Sequence, residues 1–347
     1  MDLYLIIVII MLALAVSGLV VGVANDAVNF LNSALGSKAA PRYVIMTVAS
    51  VGIIVGAITS NGMMEVARSG VFHPEMFTFA EVMLLFLAVM FTNVILLDIF
   101  NTLGMPTSTT VSLVFGLLGA AVGISIFKIA NDALVTLPDG SLATMADMIN
   151  TGNAMAIIGG ILISVVIAFV CGTVVMYITR LIFSFRYQSK LKSYGAVWCG
   201  IALTAISYFA VFKGLKGTQV IPADWMSWME GHIPMMLGGL LVGWSLIMSI
   251  LSMLKVNILR ITVLAGTFSL ALAFAGNDLV NFIGVFVAGV DAYDIVRTTG
   301  DTNMLMGGLN DPVVANLLIL FLSGAVMVVT LWFSKKAQSV SDTEINL

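Results

Sequence analysis

The sequence predicts an all-α polytopic membrane protein built as an inverted repeat with broken helices. Three observations predict it. Of the 347 residues, 60% are hydrophobic and only 10% are charged, against about 25% charged in soluble domains, and mean hydropathy is +1.09. Charge-free apolar runs near the length of a membrane span recur along the chain. A polar hexapeptide occurs twice, each time between apolar runs. Composition excludes a soluble enzyme, a disordered tail and a secreted disulfide scaffold. The net charge of −3, without a basic cluster, offers no footprint for nucleic acid.

The segments follow in order. Leu3–Val23 is the first and Tyr43–Met64 the second. Between Glu81 and Lys128 the one charge is Asp98, and Gly104-Met105-Pro106 splits the run into segments at 82–103 and 107–127. Asn153–Thr179, Ser193–Phe212 and Pro234–Leu254 are the fifth to seventh. Ile261–Asn277 is the eighth, short unless Leu279–Val290 extends it, and Pro312–Ser334 is the ninth. About nine transmembrane segments are expected. The start, Met1-Asp2-Leu3, has no basic n-region, so the first segment is expected to stay as a helix.

Lys and Arg in short loops set orientation. Lys38 and Arg42, then Arg180, Arg186, Lys190 and Lys192, then Lys255 and Arg260, then Lys335 and Lys336 fall in loops of one parity. Glu65, Glu75 and Glu81, the loop with Asp132, Asp139 and Asp147, and Asp291, Asp294 and Asp301 fall in the other. The N-terminus is therefore expected outside and the C-terminus inside. Trp225, Trp228 and Trp332 suit an interfacial aromatic belt, and the 22 methionines read as apolar filler. Cys171 and Cys199 lie in apolar runs, and His73 and His232 lie near prolines. That inventory assembles no zinc, haem or Ser-His-Asp centre, so no enzyme and no cofactor are expected.

Asn25-Asp26-Ala27-Val28-Asn29-Phe30 recurs as Asn277-Asp278-Leu279-Val280-Asn281-Phe282, 252 residues later, with five of six positions identical. Loop charges put the first copy on an inward-running segment and the second on an outward-running one, an inverted-topology repeat. A carboxylate this deep costs about 2.5–3.5 kcal/mol on insertion scales, which argues for function. The alternative is that each Asp simply caps the next helix. A helix broken at Asn-Asp would leave carbonyls and a carboxylate for a cation, and free N–H groups for an anion. Asn25, Asn29, Asn277 and Asn281 can serve as oxygen ligands or amide donors. Thr107, Ser108, Thr109 and Thr110 follow the Gly104–Pro106 turn, where hydroxyls and first-turn N–H groups together suit an oxyanion. Ordinary Ser/Thr capping is the competing reading.

These residues resemble a known family. Ala24 through Asn29 is similar to the GANDVANA signature of the inorganic phosphate transporter family, and Ala34-Leu35-Gly36-Ser37-Lys38-Ala39 to its AVGSKA element. Gly276 through Asn281 resembles the second copy of the signature, and Gly104 through Thr110 resembles GLPVSTTH. The resemblance covers residues 10–130 and 255–290. It implies uptake of phosphate coupled to Na⁺ or H⁺, at a site where two inverted halves meet. Val111 stands where the family has histidine, and the stretch Val51–Ala57 lacks the glutamate that many members carry. Each departure removes a titratable group, which favours Na⁺ over H⁺.

The expected function is a cation-coupled phosphate symporter of the cell (inner) membrane. Thr107, Ser108, Thr109 and Thr110 would bind phosphate. Asn25, Asp26, Asn29, Asn277, Asp278 and Asn281 would bind cations, with Na⁺ at Asp26 and Asp278. Partners are phosphate, Na⁺ and the bilayer, and a homodimer is left open. A transporter of another oxyanion such as sulfate, a channel, and a non-transporting fragment compete with this reading. The organisation reads as a first repeat at 1–130, central helices and loops at 131–254, and a second repeat at 255–347 that lacks a second Ser-Thr-Thr turn and ends in a polar tail. A continuation or partner chain supplying that turn is therefore expected.

Overall fold

A computed structural model describes residues 2–60, 70–184, 187–215, 222–311 and 316–346. Of the residues weighed above, Met1, Met64, Glu65, Arg186 and Pro312 lie outside this set. The described residues are helical, with only isolated β-bridges in the loops. The helices are α1 (Asp2–Asp26), α2 (Val28–Gly36), α3 (Arg42–Thr59), α4 (Phe79–Thr102), α5 (Thr109–Ala130), α6 (Thr151–Phe183), α7 (Tyr187–Phe209), α8 (Ala223–Gly231), α9 (Ile233–Met253), α10 (Ile258–Thr299), α11 (Leu317–Phe333) and α12 (Lys335–Asn346). Eight spans among the described residues are long and apolar enough to cross a membrane, or nine if α11 and α12, bent by 67°, count as one. The protein is a multi-pass membrane protein. On α6, Leu162, Phe169 and Tyr177 are 65%, 75% and 64% exposed, a surface that hydrocarbon can cover and water cannot.

Two expectations change on folding. The helices are not unwound at the repeated motif. At the first copy the irregularity is the single residue Ala27, whose N–H still donates to the Val23 carbonyl at 3.0 Å. The second copy lies inside α10, an unbroken helix of 42 residues, about 63 Å long and twice the hydrocarbon thickness. The eighth segment and its continuation are thus one element. Ala27 and Leu279 are good helix formers, no proline intervenes, and a lone glycine costs only about 1 kcal/mol in a helix. The polar side chains find partners sideways while the backbone stays paired. The polar tail after Ser334 is also helical, with Ala337, Val340 and Ser341 buried.

The chain forms two compact units. The first contains Met1–Val28, Ser60–Ala156 and Ala275–Leu347, and the second contains Asn29–Thr59 and Ile157–Phe274. In the second unit α7 packs along α9 around Cys199, Leu203, Met248 and Ile258. Gly52 on α3 admits the backbone of α10, since a Cβ there would lie 2.6 Å from the Phe268 carbonyl oxygen. In the first unit α1 packs on α4, α11 and α12, and α4 and α5 form a hairpin. Gly22 lets α1 close on α10, because a Cβ would meet the Phe282 ring at 2.0 Å.

The open end of the α4–α5 hairpin is tied by charge. Lys128, 2% exposed near the end of α5, donates to both carboxylate oxygens of Glu81 at 3.0 and 2.8 Å. Glu81 also completes a capping box with Thr78 at the start of α4, and Lys128 lies 5.7 Å from the centre of the Phe77 ring. The two charges that delimit the apolar run in the sequence thus neutralise one another.

Candidate substrate and cation site

The closed end of the hairpin carries the Ser/Thr turn, and the first unit folds it against the repeated motifs. Gly104 has a φ of +69°, which reverses the chain after α4. Asn25, fully buried at the end of α1, grips the turn. Its amide donates to the Asn101 side chain at 2.7 Å and to the Met105 carbonyl at 3.0 Å, and its carbonyl accepts from the Thr107 N–H at 2.7 Å. Asn101 in turn donates to the Val21 carbonyl at 2.7 Å, so α1 and α4 are joined on both sides of the turn.

Asp26 and Asp278 belong to one hydrogen-bond network. Thr109 donates to the Asp26 carboxylate at 3.0 Å. The Asn281 amide reaches the Thr110 hydroxyl at 2.9 Å, the Asp278 carboxylate at 3.0 Å and the Thr109 hydroxyl at 3.4 Å. With two hydrogens for three acceptors, the Thr109 contact is the weak one. The path Asp26–Thr109–Asn281–Asp278 therefore joins the two copies of the motif. Asp26 is 3% exposed and Asn281 8%. Neither aspartate has a salt-bridge partner among the described residues. Nearby, Ser60 donates to the Gly276 carbonyl at 2.9 Å.

The structure thus brings together Asn25, Asp26, Thr107, Thr109, Thr110, Asp278 and Asn281. Ser108 stands beside them as the N-cap of α5, accepting from the Val111 N–H at 3.2 Å. Asn29 and Asn277 are exposed and make none of these contacts. The sequence reading missed Asn101, which holds the turn, and the neighbouring pair of Asn93 and Ser112. Ser112 donates to the buried Asn93 side chain at 2.5 Å. The available signal was two amides eight residues apart, just over two turns, in an apolar span. Counting charges alone passes over them.

The oxygens gathered here belong to carboxylates, amides and hydroxyls, a hard donor set suited to a small hard cation. A buried and a half-buried carboxylate without a basic partner among the described residues are costly while both are charged. The arrangement therefore favours uptake of positive charge, and a cation held there would offset the repulsion between a nearby anion and the carboxylates.

The fold is that of a multi-pass helical membrane protein with a polar cluster among its spans. The chain is similar to a solved structure described as a sodium-dependent phosphate transporter, with a TM-score of 0.67 and 19% identity over 98% of this chain and 78% of that one. At that identity the likeness concerns the fold. The chain belongs to the phosphate transporter family, whose sequence profile matches residues 22–337. It is also 25% identical over 200 residues to a candidate phosphate permease of Thermococcus kodakarensis, covering 57% of this chain and 45% of that protein. The match thus spans under half the length of that curated relative. The family is one of transporters and not of enzymes.

Proposed function

We propose that this protein carries inorganic phosphate across the cell membrane together with cations, Na⁺ in preference to H⁺. The observation that carries the proposal is the network joining Asp26 and Asp278 through Thr109 and Asn281, without a basic partner among the described residues. In this reading Na⁺ neutralises Asp26 and Asp278, with amide oxygens completing its shell. Phosphate is held by hydroxyls of the Thr107–Thr110 turn and by N–H groups at the start of α5. Binding of cation and anion is then mutually favourable, because the cation offsets the repulsion between anion and carboxylates and the coupling is reciprocal.

The sodium dependence in the name of the structural neighbour supports Na⁺, as does Val111 in place of a titratable histidine. The inverted relation of the two motif copies, an outside N-terminus and an inside C-terminus belong to the same proposal, and a homodimer is compatible with it. Uptake of radiolabelled phosphate into proteoliposomes with and without an inward Na⁺ gradient tests it. Uptake should rise with the gradient and resist competition by sulfate. Uptake indifferent to Na⁺ but driven by a proton gradient would reassign the coupling ion, and preferential sulfate uptake would reassign the substrate.

A further inference from the structure

Asn93 lies midway along α4 and is 6% exposed. Its carbonyl accepts the Ser112 hydroxyl, while its amide nitrogen has no partner among the described residues. Asn281 is the mirror case, since its amide nitrogen is fully committed and its carbonyl oxygen has no partner among the described residues. Both side chains line one small cavity of about 10 Å³, together with Gly18, Met90, Leu113 and Val285. That is the space one water needs, and a water there needs at least two polar partners. The walls offer one donor and one acceptor amid aliphatic carbon. A Na⁺ ion would find too few oxygens and an N–H group facing it.

We infer that this cavity is a one-water site, and that Asn93 is a positioning residue acting through it. The water accepts from the Asn93 amide and donates to the Asn281 carbonyl. Asn281 is thereby held with its amide nitrogen turned toward Asp278 and Thr110. Ser112 fixes Asn93 from α5, so the α4–α5 hairpin sets the rotamer of a residue on α10. The role of the water in transport rests on the function proposed above; its presence does not.

Radiolytic hydroxyl labelling of the full chain in H₂¹⁸O tests the site directly. Met90, 5% exposed, should incorporate label from the bound water in the wild type. Asn93→Leu should abolish that labelling while leaving the protein folded, since leucine fills the space with apolar atoms. Asn93→Ser, which leaves room and a hydroxyl, should retain it. Equal labelling in the wild type and Asn93→Leu, or none in the wild type, would overturn the site. For positioning, Asn93→Leu should weaken equilibrium binding of inorganic phosphate by about two- to tenfold, the worth of one hydrogen bond. Asn93→Ser should restore affinity, and Asn93→Leu should have no further effect in an Asn281→Ala background. Additive effects of the two substitutions, or unchanged affinity in Asn93→Leu, would overturn the positioning role. If Asn281→Ala alone leaves phosphate binding intact while the water labelling is as expected, the proposed transport site fails and the water site stands.

Discussion

Asp26 and Asp278 are acceptors before they are charges: Thr109 donates to the first and Asn281 to the second. Asparagine in either place keeps an acceptor and removes the charge. Asp26→Asn and Asp278→Asn should therefore insert and fold, yet abolish Na⁺-driven uptake in proteoliposomes. Full uptake by either variant would sink the cation assignment. The hydroxyls divide differently. Ser108 caps α5, so Ser108→Ala should cost about 1 kcal/mol of stability, read as a lowered Tm. Thr109 holds a buried carboxylate, so Thr109→Ala should weaken phosphate binding about tenfold, at about 1.5–3 kcal/mol for a hydrogen bond to a charged group. An unchanged phosphate affinity would return Thr109 to a structural role. The repeat made Asp26 and Asn281 legible in the sequence, because a polar motif stands out against hydrocarbon. Asn93 and Asn101 were not legible, since an isolated amide in a span shows no pattern until its partner on another helix is known.

At the scale of the element, the α4–α5 hairpin is tied at one end by Lys128 and Glu81 and at the other by Asn25. Lys128→Met leaves a carboxylate without its partner, and the loss should be about 3–5 kcal/mol. Adding Glu81→Gln should recover much of it, because the remaining group is neutral; thermal unfolding of the single and double variants checks this. A double variant no more stable than the single one would mean the pair is not what ties the hairpin. Gly104 is a second point. A Cβ there would meet a left-handed backbone and would lie 3.2 Å from the Thr343 hydroxyl and 3.3 Å from the Ser339 hydroxyl of α12. Gly104→Ala should cost about 1–2 kcal/mol from the backbone alone. The turn itself was readable from Gly104 and Pro106. The packing of α12 against it was not, because the tail after Ser334 reads only as polar.

Across the whole molecule, loop charges predict opposite sides for the loops at Lys335 and at Asp139. Cys171 is exposed and Cys199 buried, so single cysteines should be introduced in a Cys171→Ser background. Cysteines beside Lys335 should react with an impermeant maleimide only from the cytoplasm, and those beside Glu75 and Asp139 only from outside. A cytoplasmic Glu75 would break the inverted relation of the two motifs.

Composition and the spacing of charges already required a helical chain that crosses a membrane, because charge-free runs of that length have no other stable home. The sequence also marked the two Asn-Asp motifs and the Ser/Thr turn, since polar groups placed in hydrocarbon need a reason. Folding settled that both motifs keep their helices, that Asn29 and Asn277 are exposed, that Asn101 pairs with Asn25, and that Asn93 pairs with Ser112. Local composition says that a buried polar group must find a partner. Which partner it finds depends on which helices approach, and approach is set by close contacts such as Gly22 against Phe282, between residues far apart in the chain.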